Sequence, residues 1–297
     1  MYIKIIRPSS LGHSDILQAN ISDLEKRGIK VLYEEKSPDP NNHSSYTVQD
    51  RLEELVEALT NPDYDYVMCA RGGYGASDLL DFIPWDRLKN VPPKTLVGFS
   101  DICALHSALY SKLSWCGLHA PMPASKLWAA NKKMLTRYLS FLTEGARSFS
   151  LPLNLKLSSA SLKTSSSIEG KLFGGCLTVI TALIGTPYFP NLKDHILFLE
   201  DIRENPGTVN TMINQWIQSG SLEGVKAVVL GNFVRYGSSQ DYAQLVKKIE
   251  EKTRISCFSS RYFGHISLNY PLLIGASAVI KGSSLKWHKQ KLGGKYV

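Results

Sequence analysis

The sequence predicts an α/β protein in two lobes, the first built on a parallel sheet with helices on both faces. Three observations carry this. The first half of the chain alternates short apolar runs with amphipathic segments, the pattern of strand–helix–strand units. Residues 151–167 then change character, being rich in Ser, Leu and Lys without helical period. Beyond them the apolar runs and amphipathic segments resume. The expected division is therefore an N-terminal α/β lobe over 1–150, a crossover over 151–169 and a C-terminal lobe over 170–297.

Taken in order, Tyr2–Ile6 is a strand candidate. Ile16, Leu17, Ile21 and Leu24 follow helical spacing, and Gly28 ends that helix. Ile29–Tyr33 reads as a second strand. Leu52, Leu55, Val56 and Leu59 mark a second helix, stopped by Asn61-Pro62. Tyr64–Ala70 is a third strand, followed by the glycine-rich turn Arg71-Gly72-Gly73-Tyr74-Gly75. Thr95–Phe99 is a fourth strand, and the helix after it carries Ile102, Leu105 and Leu109 on one face. In the second half, Gly170–Gly185 reads as a buried helix entered through glycine, and His195–Leu199 as a strand. Val209, Met212, Ile213, Trp216 and Ile217 fall at i, i+3, i+4, i+7 and i+8 of a helix. A strand over Val225–Leu230, an amphipathic helix over Tyr242–Ile249 and a late strand over Leu272–Ile280 complete the reading.

The 297 residues suffice for one large domain or two modest ones with a full core. No apolar run approaches the ~18–20 residues of a membrane span. The opening Met1-Tyr2-Ile3-Lys4-Ile5-Ile6-Arg7-Pro8 turns polar too early for a signal peptide. A cytoplasmic protein that does not engage a membrane is expected. The five cysteines form no close pairs, and Cys69, Cys103 and Cys257 sit in apolar stretches as small hydrophobes. C-x-x-C, H-x-x-x-H and H-E-x-x-H are missing, so neither a metal site nor a cofactor is expected. The net charge of +8 is scattered and carries no recognition motif, which argues against nucleic acid and for an acidic small substrate.

Three polar residues stand where apolar stretches break: Ser100 after Leu96–Phe99, Glu200 after Ile196–Leu199, and His265 after Phe263-Gly264. A hydroxyl, a carboxylate and an imidazole are the parts of a serine hydrolase triad, and their chain order is that of the α/β-hydrolases. Each also has a plainer reading. Ser100 lies between strand and helix, where a serine serves equally as an N-cap, and Gly98-Phe99-Ser100-Asp101 lacks the second glycine of G-x-S-x-G. Glu200 can orient a histidine or cap the helix near Gly207, and a lone histidine such as His265 is commonly structural. The loop Arg71–Gly75 follows a buried strand, and its glycines let backbone N–H groups approach a ligand, as an oxyanion hole or carboxylate cradle or simply as a tight turn. His106 is read as a surface residue, and His119 as a residue lining the same cleft.

Taken together, these blocks resemble the LD-carboxypeptidase family, serine peptidases that include murein tetrapeptide carboxypeptidases and microcin C self-immunity hydrolases. The resemblance rests on Arg71–Gly75, Gly98–Asp101, His119-Ala120-Pro121-Met122, Gly174-Gly175, Gly185-Thr186-Pro187, Leu197–Ile202 and Gly264-His265, in the family's order. It implies a Rossmann-like N-terminal lobe, a smaller β-rich C-terminal lobe and an active site in the cleft between them. It further implies Ser100 as nucleophile, Glu200 as acid and His265 as base, an oxyanion hole from the N–H groups of Gly73 and Asp101, and a homodimer. Arg71, Gly72, Tyr74 and His119 are the expected substrate-binding residues, with Arg71 suited to a carboxylate. The implied reaction releases terminal D-Ala from muropeptide tetrapeptides in peptidoglycan recycling. Hydrolysis of a peptidyl-nucleotide antibiotic, or muropeptide binding without catalysis, are the alternatives. The chain departs from the family's usual blocks at Ala120, Cys176 and Ile266, where Gly, Asn and Gly are common.

Overall fold

The alternation in the first 120 residues folds into a parallel sheet. Strands β1 (Tyr2–Ile6), β2 (Lys30–Leu32), β3 (Tyr66–Cys69), β4 (Thr95–Gly98) and β5 (Gly117–His119) lie in the order β5-β4-β3-β1-β2, each neighbouring pair parallel. Helices α1 (Ser14–Lys26), α2 (Val48–Thr60), α3 (Trp85–Leu88) and α4 (Cys103–Leu113) supply the crossovers. Strand residues alternate between two buried clusters. Ile3, Ile5, Met68, Val97 and Leu118 face one, while Ile6, Val67, Cys69 and Leu96 face the other. This is why these strands read as continuous apolar runs. The computed structural model describes residues 1–10, 12–36, 46–143, 148–153 and 167–289, with the backbone of 291–292 and 295–296.

Helix α5 (Lys132–Thr143) leads to a second sheet. Its strands are β6 (Ser148–Pro152), β7 (Ile168–Cys176), β8 (His195–Ile202), β9 (Ala227–Val234), β10 (Ser256–Ser259), β12 (Ser277–Lys281) and β13 (Ser284–His288). Their order is β10-β9-β8-β7-β12-β13-β6; the first four are mutually parallel and the rest antiparallel. Helices α6 (Leu177–Thr181), α7 (Pro206–Gln218) and α8 (Ser239–Thr253) connect the parallel strands. Asn205 caps α7 by accepting from Thr208 N at 3.0 Å, with Pro206 opening the helix. Among the described residues no helix is long and apolar enough to cross a membrane.

Two sequence expectations change here. Gly170–Gly185 is not one helix: it is the strand β7 followed by the short α6. The glycines serve strand packing instead of helix entry, since a Cβ on Gly174 would lie 1.8 Å from the Phe198 carbonyl oxygen on the neighbouring strand. Nor is Leu272–Ile280 one strand. Leu272–Ile274, strand β11, runs antiparallel to β5 at the edge of the first sheet, whereas Ser277–Lys281 joins the second. The chain turns between them at Gly275, whose φ of 85° favours a residue without a side chain. The expected crossover over 151–169 falls mostly outside the described residues, and its ends belong to β6 and β7.

The same turn joins the sheets. Gly275 N donates to Leu172 O at 2.7 Å, and Leu172 N to Ala276 O at 2.8 Å. Nearby, Cys176 N donates to the buried Sγ of Cys103 at 3.3 Å. The carboxyl ends of β4 and β8, which carry Ser100 and Glu200, thereby come together; this is where open α/β sheets place their ligand sites.

Candidate active site

Ser100 follows β4 and opens a single 3₁₀ turn, Ser100–Ile102, that runs into α4. Its φ is +65°, a left-handed conformation that costs a residue with a side chain free energy. A turn of this kind lifts the hydroxyl clear of the sheet, as the nucleophile elbow of α/β-hydrolases does. Gly72 is packed against it: a Cβ there would come within 2.9 Å of Ser100 Cβ and 3.2 Å of its Oγ. The glycine loop is held in turn by the loop after β1. Ser10 Oγ accepts from Tyr74 N at 2.9 Å, and Ser9 Oγ donates to Asp101 Oδ2 at 2.5 Å. Asp101 Oδ2 also accepts from Ala76 N at 2.9 Å, so its buried carboxylate links three loops. Burial raises the Asp101 pKa, against the bonds from Ser9 and Ala76 that favour the charge.

Glu200 lies on β8 where its register with β9 shifts, and it is fully buried. Strand alternation sends its neighbour Asp201 elsewhere, to accept from Thr178 N at 2.8 Å and cap α6. Glu200 Oε2 is 2.7 Å from His265 Nδ1, and His265 Nε2 is 3.0 Å from Ser100 Oγ. Because the ionised carboxylate can only accept, Nδ1 carries the hydrogen. Nε2 is then the lone-pair nitrogen facing the Ser100 hydroxyl. The imidazole also rests against the Phe99 ring, centroids 4.9 Å apart.

Two asparagines hold the loop that delivers His265. Asn269 Oδ1 accepts from Gly264 N at 3.1 Å, and Asn232 Nδ2 donates to Phe263 O at 2.9 Å. Gly264 has φ +116°, and a Cβ there would meet both Asn232 O and Glu200 Oε2 at 3.1 Å. Sequence reasoning missed both asparagines. Their partners are 31 and 5 residues away, and no local periodicity signals such a clamp.

Electrostatics follow from the pairing. Burial pushes Glu200 upward, but the imidazole of His265 and the nearby His119 outweigh it, and its pKa falls to about 2. Burial opposes charge on His265, yet the Glu200 carboxylate prevails and raises its pKa above the ordinary imidazole value. A general base must be neutral, so activity disappears as pH falls through this raised value. The acid limb of kcat/KM is accordingly expected above pH 6.5, the ordinary value for histidine, and a limb at or below it would contradict the pairing. The stability signs are opposite. The Glu200 contribution is present above its unfolded pKa and lost as pH falls toward 2. The His265 contribution is full below the ordinary value and lost as pH rises through the folded one.

The structure thus brings Ser100, Glu200 and His265 together, with Gly72 packed against Ser100, Asp101 next to it in the chain, and Gly73 packed against Ser10. Arg71 is partly exposed, and Tyr74 is 55% exposed at the rim. Two histidine expectations are corrected. His106 is not on the surface: it is buried, its Nε2 is 3.0 Å from Leu96 O, and burial lowers its pKa to about 3. His119 does not line the cleft. It is 0% exposed and lies behind Glu200, so it cannot touch a substrate.

A serine hydroxyl, an imidazole and a carboxylate in hydrogen-bonding sequence at a two-sheet junction have the geometry of a serine hydrolase. Residues 3–120 match the LD-carboxypeptidase N-terminal domain and residues 169–280 the LD-carboxypeptidase C-terminal domain. The chain belongs to the LD-carboxypeptidase family and is a serine carboxypeptidase. It is 26% identical over 294 residues to the murein tetrapeptide carboxypeptidase of Pseudomonas aeruginosa, covering 96% of this chain and 94% of that one. A muramoyltetrapeptide carboxypeptidase structure from Oxalobacter formigenes superposes with a TM-score of 0.82 at 27% identity, over 97% of this chain and 98% of the other. An MccF-like protein from Bacillus anthracis shares the fold, with a TM-score of 0.84 at 22% identity over 97% of each chain.

Proposed function

We propose that this protein cleaves the L,D-peptide bond that releases terminal D-Ala from muropeptide tetrapeptides. The observation that carries the reading is the chain of contacts Ser100 Oγ–His265 Nε2 at 3.0 Å and His265 Nδ1–Glu200 Oε2 at 2.7 Å. Ser100 Oγ attacks the carbonyl preceding D-Ala while His265 Nε2 takes its proton, later passing it to the leaving amine. Glu200 holds the tautomer and stabilises the imidazolium. The N–H groups of Gly73 and Asp101 receive the oxyanion, each such donor contributing ~3 kcal/mol in comparable sites. In the glycine loop the N–H groups of Tyr74 and Ala76 are already engaged and are not available for this task. Arg71, at the head of that loop, is assigned to a substrate carboxylate, with Gly72 and Tyr74 lining its approach.

On the family resemblance we take the enzyme to be a cytoplasmic homodimer serving peptidoglycan recycling. Its lobes are taken as 1–150 and 170–297 around a crossover over 151–169, with β6 and β11 exchanged between their sheets. The deciding test compares a muropeptide tetrapeptide with its terminal L-Ala epimer at equal concentration. Inverting the leaving residue swings its methyl into the position of hydrogen, and a shaped pocket excludes it. D-Ala release without L-Ala release is expected. Equal cleavage rejects the L,D assignment. Cleavage of a peptidyl-nucleotide in place of both would move the enzyme to antibiotic hydrolysis.

A further inference from the structure

His119 ends β5, paired with Gly98 of β4 on one side and Leu272 of β11 on the other. Its ring is wedged between Phe99 and Phe198, with centroids 5.7 and 5.4 Å away and edge-on geometry to both. It is 0% exposed, and neither ring nitrogen makes a well-formed hydrogen bond among the described residues. The same holds for one atom facing it, Glu200 Oε1, which lies 3.5 Å from His119 Nε2. That separation is too long for a well-formed hydrogen bond, but no other described polar atom bonds to this oxygen. A buried carboxylate oxygen without a donor is costly, and so is a buried imidazole without a partner. An apolar ring between Phe99 and Phe198 would avoid the second cost. A histidine is intelligible there if the two orphaned groups serve each other.

We propose that His119 is a positioning residue for the catalytic carboxylate, its Nε2–H directed at Glu200 Oε1 while His265 holds Oε2. The proposal rests on the Ser–Glu–His reading of the site. Its consequence is mechanical as well as electrostatic. Ser100 follows β4 of the first sheet, Glu200 lies on β8 of the second, and the loop of His265 runs from β10 of the second to β11 of the first. His119 is a first-sheet residue beside Gly98, two positions before Ser100. Its contact ties the acid to the strand pair that presents the nucleophile, and so fixes the distance across which His265 must reach.

The test uses the full chain with His119→Leu and His119→Gln, each also combined with Glu200→Gln. The side-chain amide of Gln places an N–H donor near the position of Nε2, whereas Leu keeps the volume without a donor. Two readouts are taken: steady-state release of D-Ala, and the rate at which a fluorophosphonate labels Ser100, which needs no peptide substrate. His119→Leu is expected to lower kcat and the labelling rate about 10- to 100-fold, the range known for partners that orient a metal's ligands, with KM unchanged. His119→Gln should recover most of the loss. In the Glu200→Gln background, His119→Leu should add little, because the group it acts through is gone. A KM effect alone, an undiminished labelling rate, or an equal loss in both backgrounds would overturn the proposal. If wild-type protein is not labelled at Ser100, the serine reading itself fails. Labelled wild type with an unaffected Leu variant leaves that reading standing and removes only the role of His119. Should His119→Leu not fold, failure of His119→Gln to outperform His119→Ala in labelling would be equally decisive.

Discussion

Ser100→Ala is expected to lower kcat by a factor on the order of 10⁶, the scale of nucleophile loss in serine proteases, with folding retained. The hydroxyl is the attacking group, and its removal leaves only the oxyanion donors and substrate binding. The backbone makes the test sharper. At φ +65° Ser100 holds a conformation that alanine tolerates no better, so the alanine variant should unfold near the wild-type midpoint. Ser100→Gly removes the side chain from the same conformation and should be more stable by about 1 kcal/mol, yet equally inactive. A glycine variant that gains stability and loses activity would mark the strain at Ser100 as a functional constraint. Residual turnover above about a thousandth of wild type would exclude Ser100 as nucleophile. The measurements are D-Ala release by mass spectrometry and denaturant midpoints of all three proteins.

The sequence made the centre of this site legible because polar residues ending apolar runs are conspicuous. Ser100, Glu200 and His265 each follow a stretch of buried strand or turn, and parallel sheets gather such ends on one edge. The glycine loop was legible for a similar reason, since the backbone must pass close to Ser100 and Gly72 leaves the room. What stayed hidden depends on partners remote in sequence. Gly170–Gly185 reads as one helix because the close packing of Gly174 and Gly175 comes from Phe198 of β8 and Cys103 of α4. Leu272–Ile280 is interrupted only by Gly275 and Ser277, and a lone glycine in an apolar run marks a bend without reporting that its two sides go to different sheets. The isolated histidines were least legible. The burial of His106 against Leu96 O and of His119 against Glu200 is a property of packed strands, and an imidazole looks the same in sequence whether it faces water or a carboxylate.

Glu200→Gln is expected to lower kcat by about 10⁴, as the equivalent change does in chymotrypsin-type proteases. The amide can still accept from His265 Nδ1 through its oxygen, but it cannot supply the charge that stabilises the imidazolium formed when Ser100 gives up its proton. It can also present N–H₂ to Nδ1, which selects the wrong tautomer. The variant separates these effects from misfolding through its pH dependence. In the wild type the Glu200 charge overcomes burial and lifts the His265 pKa. With that charge removed burial remains, so the acid limb of kcat/KM should move to lower pH as the plateau falls. The stability profile should change as well. Wild-type stability rises with pH between about 2 and the ordinary carboxylate range as Glu200 ionises in the folded state before it does in the unfolded one. The amide binds no proton, so this part of the slope should be missing from the variant's unfolding curves. An acid limb that stays in place, or a variant with near wild-type kcat, would mean that Glu200 does not act through His265, however close the two lie.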